Sequence, residues 1–333
     1  MSTAPLHPSQ ALFDSHETAP SLPVCDHYSG VSARMHKSLQ LQADMGPVFD
    51  VTLDCEDGAP VGGEHEHVRM AAELAASSLN RFDRVGARVH PLSHDAFNDD
   101  VEVLVKLAGT RLAYLMVPKV NGLAEVVQAV QAIDKAALSQ GLKRKIPVHV
   151  LIETHGALRE VDAIAAHPRV ESLSFGLMDF VSAHRGAIPQ SAMGAAGQFE
   201  HPLVLRAKLD ISAACHAHRK TPSHCVVTEF RKRPLIEEAA RKASRSLGYL
   251  RMWSIHPDQI RPIVEAFAPS VAETDEATEI LLAAQAAHWA PISHRDTLHD
   301  RASYRYFWHV LERAQRTGQP LPAEVREAFF TAD

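Results

Sequence analysis

The chain has 333 residues, 46% of them hydrophobic and 22% charged, with a net charge of −6 when histidine is neutral. These values suit a soluble globular protein with a large core, and the acidic balance argues against general attraction to nucleic acid or an anionic membrane. Four cysteines at 25, 55, 215 and 225 form no CxxC motif, so a reduced, cytoplasmic chain is the simplest expectation.

Residues 1–20 have no basic start and no apolar run. They read as a partly ordered arm rather than a signal peptide. No stretch approaches the length of a membrane span. The 21 histidines are scattered, and imply only that charge varies between about pH 5 and 7.

From residue 21 onward short apolar runs alternate with segments of helical spacing. The runs are Leu22–Tyr28, Val48–Leu53, Val85–Val89, Leu112–Val117, Pro147–Ile152, Glu171–Phe175, His224–Thr228 and Tyr249–Ile255. Between them, Glu64–Ser78, Leu123–Gln140, Ala157–Ala166, Val204–Arg219 and Leu235–Ser246 have helical periodicity. Parallel neighbours need crossover connections, and the runs are apolar on both parities, as in strands covered on both faces. An open doubly wound sheet is the competing architecture; eight repeats favour a closed (β/α)8 TIM barrel over 21–270.

A barrel needs nothing beyond its eighth unit, yet Ile260–Phe267, Glu273–Trp289, a linker (APISHRD) and a helical stretch from Arg301 to Thr317 follow. In the last, Tyr304, Phe307, Trp308 and Leu311 share one face. Residues 271–333 are therefore expected to form a C-terminal helical extension that packs on the barrel or on a neighbouring subunit.

Reactive groups of such a barrel stand where the strands end. The second run leads into Asp54-Cys55-Glu56-Asp57-Gly58, the third contains Arg88 and the fourth ends in Pro118-Lys119. The fifth ends in Glu153-Thr154 and the sixth in Gly176-Leu177-Met178-Asp179. Gathered carboxylates repel one another, so they raise their pKa values or recruit a cation. Glu153 and Asp179, at adjacent strand ends, are the best pair for Mg2+, which takes hard oxygen ligands and keeps open positions. Arg88 is read either as an ion-pair partner of Asp54 or Glu56, or as a fork for a substrate carboxylate. His65-Glu66-His67 and CHAHRKTPSHC (215–225) have zinc-ligand atom types without standard spacing, and the latter reads as a helix end before the seventh strand. The common dinucleotide, P-loop and serine-hydrolase signatures are missing.

In chain order, SGVSARM (29–35), FDVTLDCEDGAP (49–60), ARVHPL (87–92), LMVPKV (115–120), VLIETHGAL (150–158), LSFGLMDF (173–180) and SIHPDQIRPIVEAFAPS (254–270) resemble the citrate lyase β-subunit and malyl-CoA lyase group of the HpcH/HpaI aldolase–citrate lyase superfamily. The resemblance implies Glu153 and Asp179 as Mg2+ ligands, and Arg88 as the arginine gripping the substrate carboxylate with Glu56 as its partner. It assigns Asp300 to an acid supplied by a neighbouring subunit; Lys119 and Met178, at the ends of the fourth and sixth runs, are expected beside Arg88 in substrate contact. The implied activity is a carbon–carbon lyase acting on a β-hydroxy acyl-CoA, in a homo-oligomer, often a trimer or hexamer. A metal aldolase on free 2-oxo or hydroxy acids, or a thioester hydrolase, uses the same machinery. Two departures stand out. The first strand, Val24-Cys25-Asp26-His27-Tyr28-Ser29-Gly30, lacks the family's arginine and V-P-G-like turn, and VVTEFRKR (226–233) lacks the acid of the usual strand-seven loop.

Overall fold

A computed structural model describes residues 6–14 and 21–330. The chain divides into two compact units, Pro20–Ala266 and a second formed by 267–333 with the N-terminal segment.

The first unit is a closed barrel of eight parallel strands in sequence order: β1 Cys25–Ser29, β2 Phe49–Asp54, β3 Val85–Arg88, β4 Leu112–Val117, β5 Val148–Ile152, β6 Val170–Phe175, β7 Thr221–His224 and β8 Arg251–Ser254. Closure is made by β1 against β8, where Cys25 pairs with Met252 and His27 with Ser254. Helices follow the strands, among them Ser32–Met45, Glu64–Ala76, Phe97–Ala108, Leu123–Ser139 and Pro202–Ala217. Among the described residues no helix is long and apolar enough to cross a membrane.

Seven of the eight predicted runs overlap their strands closely. The seventh does not: β7 is Thr221–His224, and the apolar Val226 and Val227 lie past its end. All four residues of β7 are buried although most are polar; Ser172 donates to the Thr221 carbonyl at 2.7 Å, and the backbone pairs with β6 and β8. The predicted helix Ala157–Ala166 is broken into His155–Arg159 and Val161–Ala166.

Alternation along the strands sorts the barrel interior into layers. The lower layer is ionic. Arg251, fully buried, meets Asp50 at 2.5 Å and Asp26 at 3.0 Å. Tyr114 donates to Asp26 at 3.0 Å and receives Arg251 at 3.2 Å, while Thr52 donates to Asp26 at 2.7 Å. Arg84 reaches Asp50 from below at 2.8 Å. Gly86 makes room for this arrangement, since a Cβ there would lie 2.3 Å from the Tyr114 ring. Two residues further along the strands, Tyr28, Met116, Leu151 and Trp253 form an apolar and aromatic layer. Above it the strand ends carry Asp54, Arg88 and Glu153.

In the second unit, helices Val271–Ala286 and Arg301–Arg316 pack through Ile280, Leu281 and Ala284 against Tyr304, Phe307, Trp308 and Leu311, the face anticipated from spacing. Leu12 of the N-terminal segment enters that core, and Trp289 Nε1 donates to the Leu6 carbonyl at 3.1 Å. The expected linker contains a β-hairpin instead, β9 Ile292–His294 and β10 Thr297–His299. Arg295 and Asp296 both have positive φ, 48° and 61°, the signature of the two-residue turn that suits strand twist.

Replacing Arg251 by Met leaves Asp26 and Asp50 buried beside lost partners and should cost about 3–5 kcal/mol of barrel stability in urea unfolding. A loss below about 1 kcal/mol would show that the ionic layer carries little weight.

Candidate active site

The site is built on the loop after β2. Asp54 ends that strand, and its carboxylate accepts from the backbone N–H of Glu56 at 3.0 Å and of Gly58 at 2.9 Å, winding the acidic segment into a tight turn. Gly30 allows the end of β1 to abut this turn: a Cβ there would lie 1.9 Å from the Gly58 carbonyl oxygen. His67 Nε2 lies 2.9 Å from the Asp54 carbonyl and steadies the loop from outside. His65 instead pairs with Asp99 at 2.6 Å, so the histidines of the triplet do not converge.

Arg88 reaches across from β3 and satisfies its ion-pair reading in full. Its Nε and Nη2 donate to the two oxygens of Asp54 at 2.7 and 2.5 Å, and Nη1 stands 3.0 Å from Glu56 Oε2. A guanidinium has five N–H groups; two are hydrogen-bonded to Asp54, and the others, on Nη1 and Nη2, are left for Glu56 and a further acceptor. Burial disfavours the charge, but Asp54 and Glu56 outweigh it and hold the arginine ionised at every accessible pH.

Lys119 follows β4 in the left-handed conformation, φ 52°. That strained backbone aims two donors at different acids. Its N–H donates to Glu153 Oε1 at 2.6 Å, while Nζ bonds Glu56 and, at 2.8 Å, Asp57. The same Nζ lies 4.0 Å from Asp179 Oδ1. Burial penalises the ammonium, but its bonds to Asp57 and Glu56 prevail and keep it charged.

Glu153 at the end of β5 is 2% exposed. Its carboxyl is pushed up to about 8, first by burial and then by the charge of Asp179, against the opposing Lys119 hydrogen bond. Gly176 is required beside it, because a Cβ would lie 2.3 Å from Glu153 Oε2. Thr154 anchors the strand end: its hydroxyl donates to the Val120 carbonyl at 2.7 Å and accepts from Ala157 N–H at 3.0 Å. Asp179 sits in the helix Leu177–Ser182 after β6, with its side chain 42% exposed.

These groups border a cavity of about 910 Å³. Arg88, Glu153, Met178 and Asp179 line it, so four of the anticipated residues meet at one place. Glu56 and Lys119 stand behind Arg88 rather than in the wall. Asp300 belongs to the second unit, where its Oδ1 caps the helix Arg301–Arg316 by accepting from Ala302 N–H at 2.9 Å and Ser303 N–H at 3.4 Å. Reading strand ends overlooked other wall residues: Tyr28 and Trp253 from inside the strands, and the cationic Arg34, Lys37 and Arg231. The first two looked like ordinary members of apolar runs, and the basic residues fell in loops or on helices without a recognised spacing.

Two carboxylates of unequal exposure at adjacent strand ends, the buried one raised first by burial and then by its neighbour's charge, fit a hard divalent cation. Among the described residues no group of three or more His, Cys, Asp or Glu side chains converges as a ligand set, so a cation held by two carboxylates would need further ligands from water and substrate. The segment 215–225 holds no such set either; Cys215 and Cys225 are free and buried, and His218 pairs with Asp162 at 2.9 Å.

The HpcH/HpaI aldolase/citrate lyase family matches residues 34–249. A crystal structure of a citrate lyase from Burkholderia xenovorans is 52% identical and superposes with a TM-score of 0.84, covering 98% of this chain and 99% of that one. An L-malyl-CoA/β-methylmalyl-CoA lyase of Cereibacter sphaeroides is 29% identical over 252 residues, 71% of this chain and 77% of the relative. The CitE protein of Mycobacterium tuberculosis, solved with magnesium, acetoacetate and coenzyme A, is 19% identical with a TM-score of 0.67, covering 88% of this chain and 98% of that one, and attests to the shared fold. With barrel, acidic rim and sequence in agreement, the chain belongs to the HpcH/HpaI aldolase/citrate lyase family of carbon–carbon lyases.

Proposed function

We propose that this chain is a Mg2+-dependent lyase that cleaves or forms a β-hydroxy acyl-CoA of malyl, citramalyl or citryl type. The observation that carries this reading is that Glu153, Asp179 and Arg88 line one cavity, with the charge of Asp179 felt by Glu153. Its substrate class is supported by relatives named as malyl-CoA/β-methylmalyl-CoA lyases and by a structural neighbour solved with magnesium and coenzyme A. Arg34, Lys37 and Arg231 line the same cavity and suit the phosphates of a CoA handle, a means of holding the thioester that does not need an arginine on β1.

Glu153 and Asp179 would hold the cation, which supplies Lewis acidity toward the substrate's oxygens. Arg88 offers its remaining Nη N–H groups to the carboxylate, and Asp54 and Glu56 prevent the guanidinium from turning. In cleavage the hydroxyl loses its proton, the carbon–oxygen bond becomes a carbonyl, and the broken carbon–carbon bond leaves its electron pair on the thioester fragment, which then takes up a proton. Asp300 of a neighbouring copy in a homo-oligomer is the proposed acid–base group.

Release of a 2-oxo acid together with an acyl-CoA from malyl-, citramalyl- or citryl-CoA tests the reading directly. Free CoA without the 2-oxo acid would indicate hydrolysis, and cleavage of free hydroxy acids alone would indicate an aldolase. Glu153→Gln and Asp179→Asn should each abolish Mg2+ binding by calorimetry and reduce turnover at least 100-fold; retained metal binding in both would sink the assignment.

Because Asn caps helices as well as Asp, Asp300→Asn should leave folding intact while slowing turnover about 100-fold or more, with KM within about threefold. Turnover at the wild-type rate would eliminate Asp300 from the chemistry.

Glu153 also makes stability depend on pH. Its folded pKa of about 8 lies above the ordinary 4.5, so the folded chain retains a proton that the unfolded chain releases across that window. Without metal, stability should therefore fall as pH rises from about 4.5 through 8, and Mg2+ should offset the fall. Unfolding at pH 5 and 8.5 should find Glu153→Gln gaining on the order of 2–4 kcal/mol relative to wild type at the higher pH. Equal pH slopes in the two proteins would contradict this.

A further inference from the structure

The aromatic layer of the barrel contains two donors without acceptors. Tyr28 and Trp253 stack with centroids 4.3 Å apart at 26°, packed with Met116 and Leu151, and Val226 closes over them. Both line the cavity, at 7% and 8% exposure. Tyr28 Oη and Trp253 Nε1 are nevertheless buried with no hydrogen-bond partner. Tyr114, one layer down, shows the usual alternative: its hydroxyl lies within hydrogen-bond reach of Thr52, Asp26 and Arg251. Buried polar groups are ordinarily paired, because leaving one unpaired forfeits its hydration for nothing.

The wall around the pair says what could satisfy it. Met116, Leu151 and Val226 offer no side-chain acceptor, so a partner for these donors has to come from the cavity side, where water stands until a ligand oxygen displaces it. An indole N–H only donates, and burial holds the Tyr28 phenol well above its ordinary range, so that it stays protonated and able to donate. The Arg88 guanidinium carbon lies 5.5 Å from the Tyr28 ring centroid, which puts the pair beside the group proposed to hold the substrate carboxylate.

We propose that Tyr28 and Trp253 are a specificity pair donating to a second carbonyl or carboxylate oxygen of the substrate, one that lies on the Arg88 side of the cavity and outside the 2-oxo acid unit that Glu153 and Asp179 would engage through the cation. The inference rests on the lyase reading and deepens it: the cavity selects skeletons that carry a second C=O group over those ending in alkyl. A site built to hydrogen-bond an oxygen rejects an analogue lacking it, since the donors are then buried unpaired. A thioester carbonyl and a free carboxylate both supply that oxygen.

The test compares oxaloacetate with 2-oxobutyrate, acids of equal chain length of which only the first has the second C=O, by calorimetry with and without Mg2+. A parallel arm measures kcat/KM on malyl-CoA. Wild type should bind oxaloacetate at least tenfold tighter than 2-oxobutyrate. Tyr28→Phe and Trp253→Phe, which keep an apolar ring, should leave 2-oxobutyrate affinity within about threefold. A roughly tenfold drop in the affinity ratio assigns the pair to a carboxylate, and the same drop in kcat/KM assigns it to a thioester carbonyl. Both arms unmoved, or 2-oxobutyrate weakened as much as oxaloacetate, overturns the pair. Failure of the lyase reading is a separate result: Glu153→Gln then leaves metal binding intact, while the acid ratio still reports on Tyr28 and Trp253.

Discussion

An excess of negative charge at one rim of the barrel governs the arrangement of everything near it. Asp54, Glu56, Asp57, Glu153 and Asp179 are five carboxylates, and Arg88 and Lys119 are the two cations bonded among them, so the fully ionised cluster carries 2 − 5 = −3. The structure neutralises what it can by geometry. Asp54 is spent on Arg88 and two backbone N–H groups, while Glu56 is held between Arg88 and Lys119. Glu153 receives one N–H and is the buried acid left without a direct side-chain cation, which is why its carboxyl clings to a proton. A proton on Glu153 relieves the excess at neutral pH, and a divalent cation between the two strand ends would relieve it without one.

Buried charge occurs at two depths of the same barrel with opposite consequences. In the lower layer Asp26, Asp50 and Arg251 are sealed from solvent, and Tyr114 and Thr52 supply further bonds. Such a closed set holds strands β1, β2, β4 and β8 in one register. At the upper rim the acids face a cavity, and the balance is left open for a ligand to complete. The aromatic layer between them separates the sealed charges from the open ones.

Much of this was legible in the sequence, and the remainder was hidden for physical reasons. Strand ends are marked by an abrupt change from apolar to charged residues, so Arg88, Glu153 and Asp179 announced themselves. Strand β7 did not, because Thr221-Pro222-Ser223-His224 is stabilised by barrel closure rather than by its own composition. The ionic layer escaped because Asp26, Asp50 and Arg251 were each masked within an otherwise apolar run, and only closure brings strands one, two and eight into contact. The hairpin at 292–299 escaped because Arg295-Asp296 lacks the glycine that usually marks a turn with positive φ.

Lys119 shows how local strain is turned to collective use. A non-glycine residue at φ 52° is costly, and it is tolerated here because the turn joins three strand ends at once. The backbone N–H serves Glu153 from β5, the ammonium serves Glu56 and Asp57 beyond β2, and the residue itself continues β4. An unstrained turn would send the amide and the side chain elsewhere, and the acids would repel one another out of alignment. Rigid placement matters more here than the strength of any one bond, since a cation and a chelated acid are recognised only when their oxygens are already in position. The same reasoning explains why Gly30 and Gly176 stand where a single methyl group would collide with the site: the loops are packed against the carboxylates so closely that the acids have nowhere else to go.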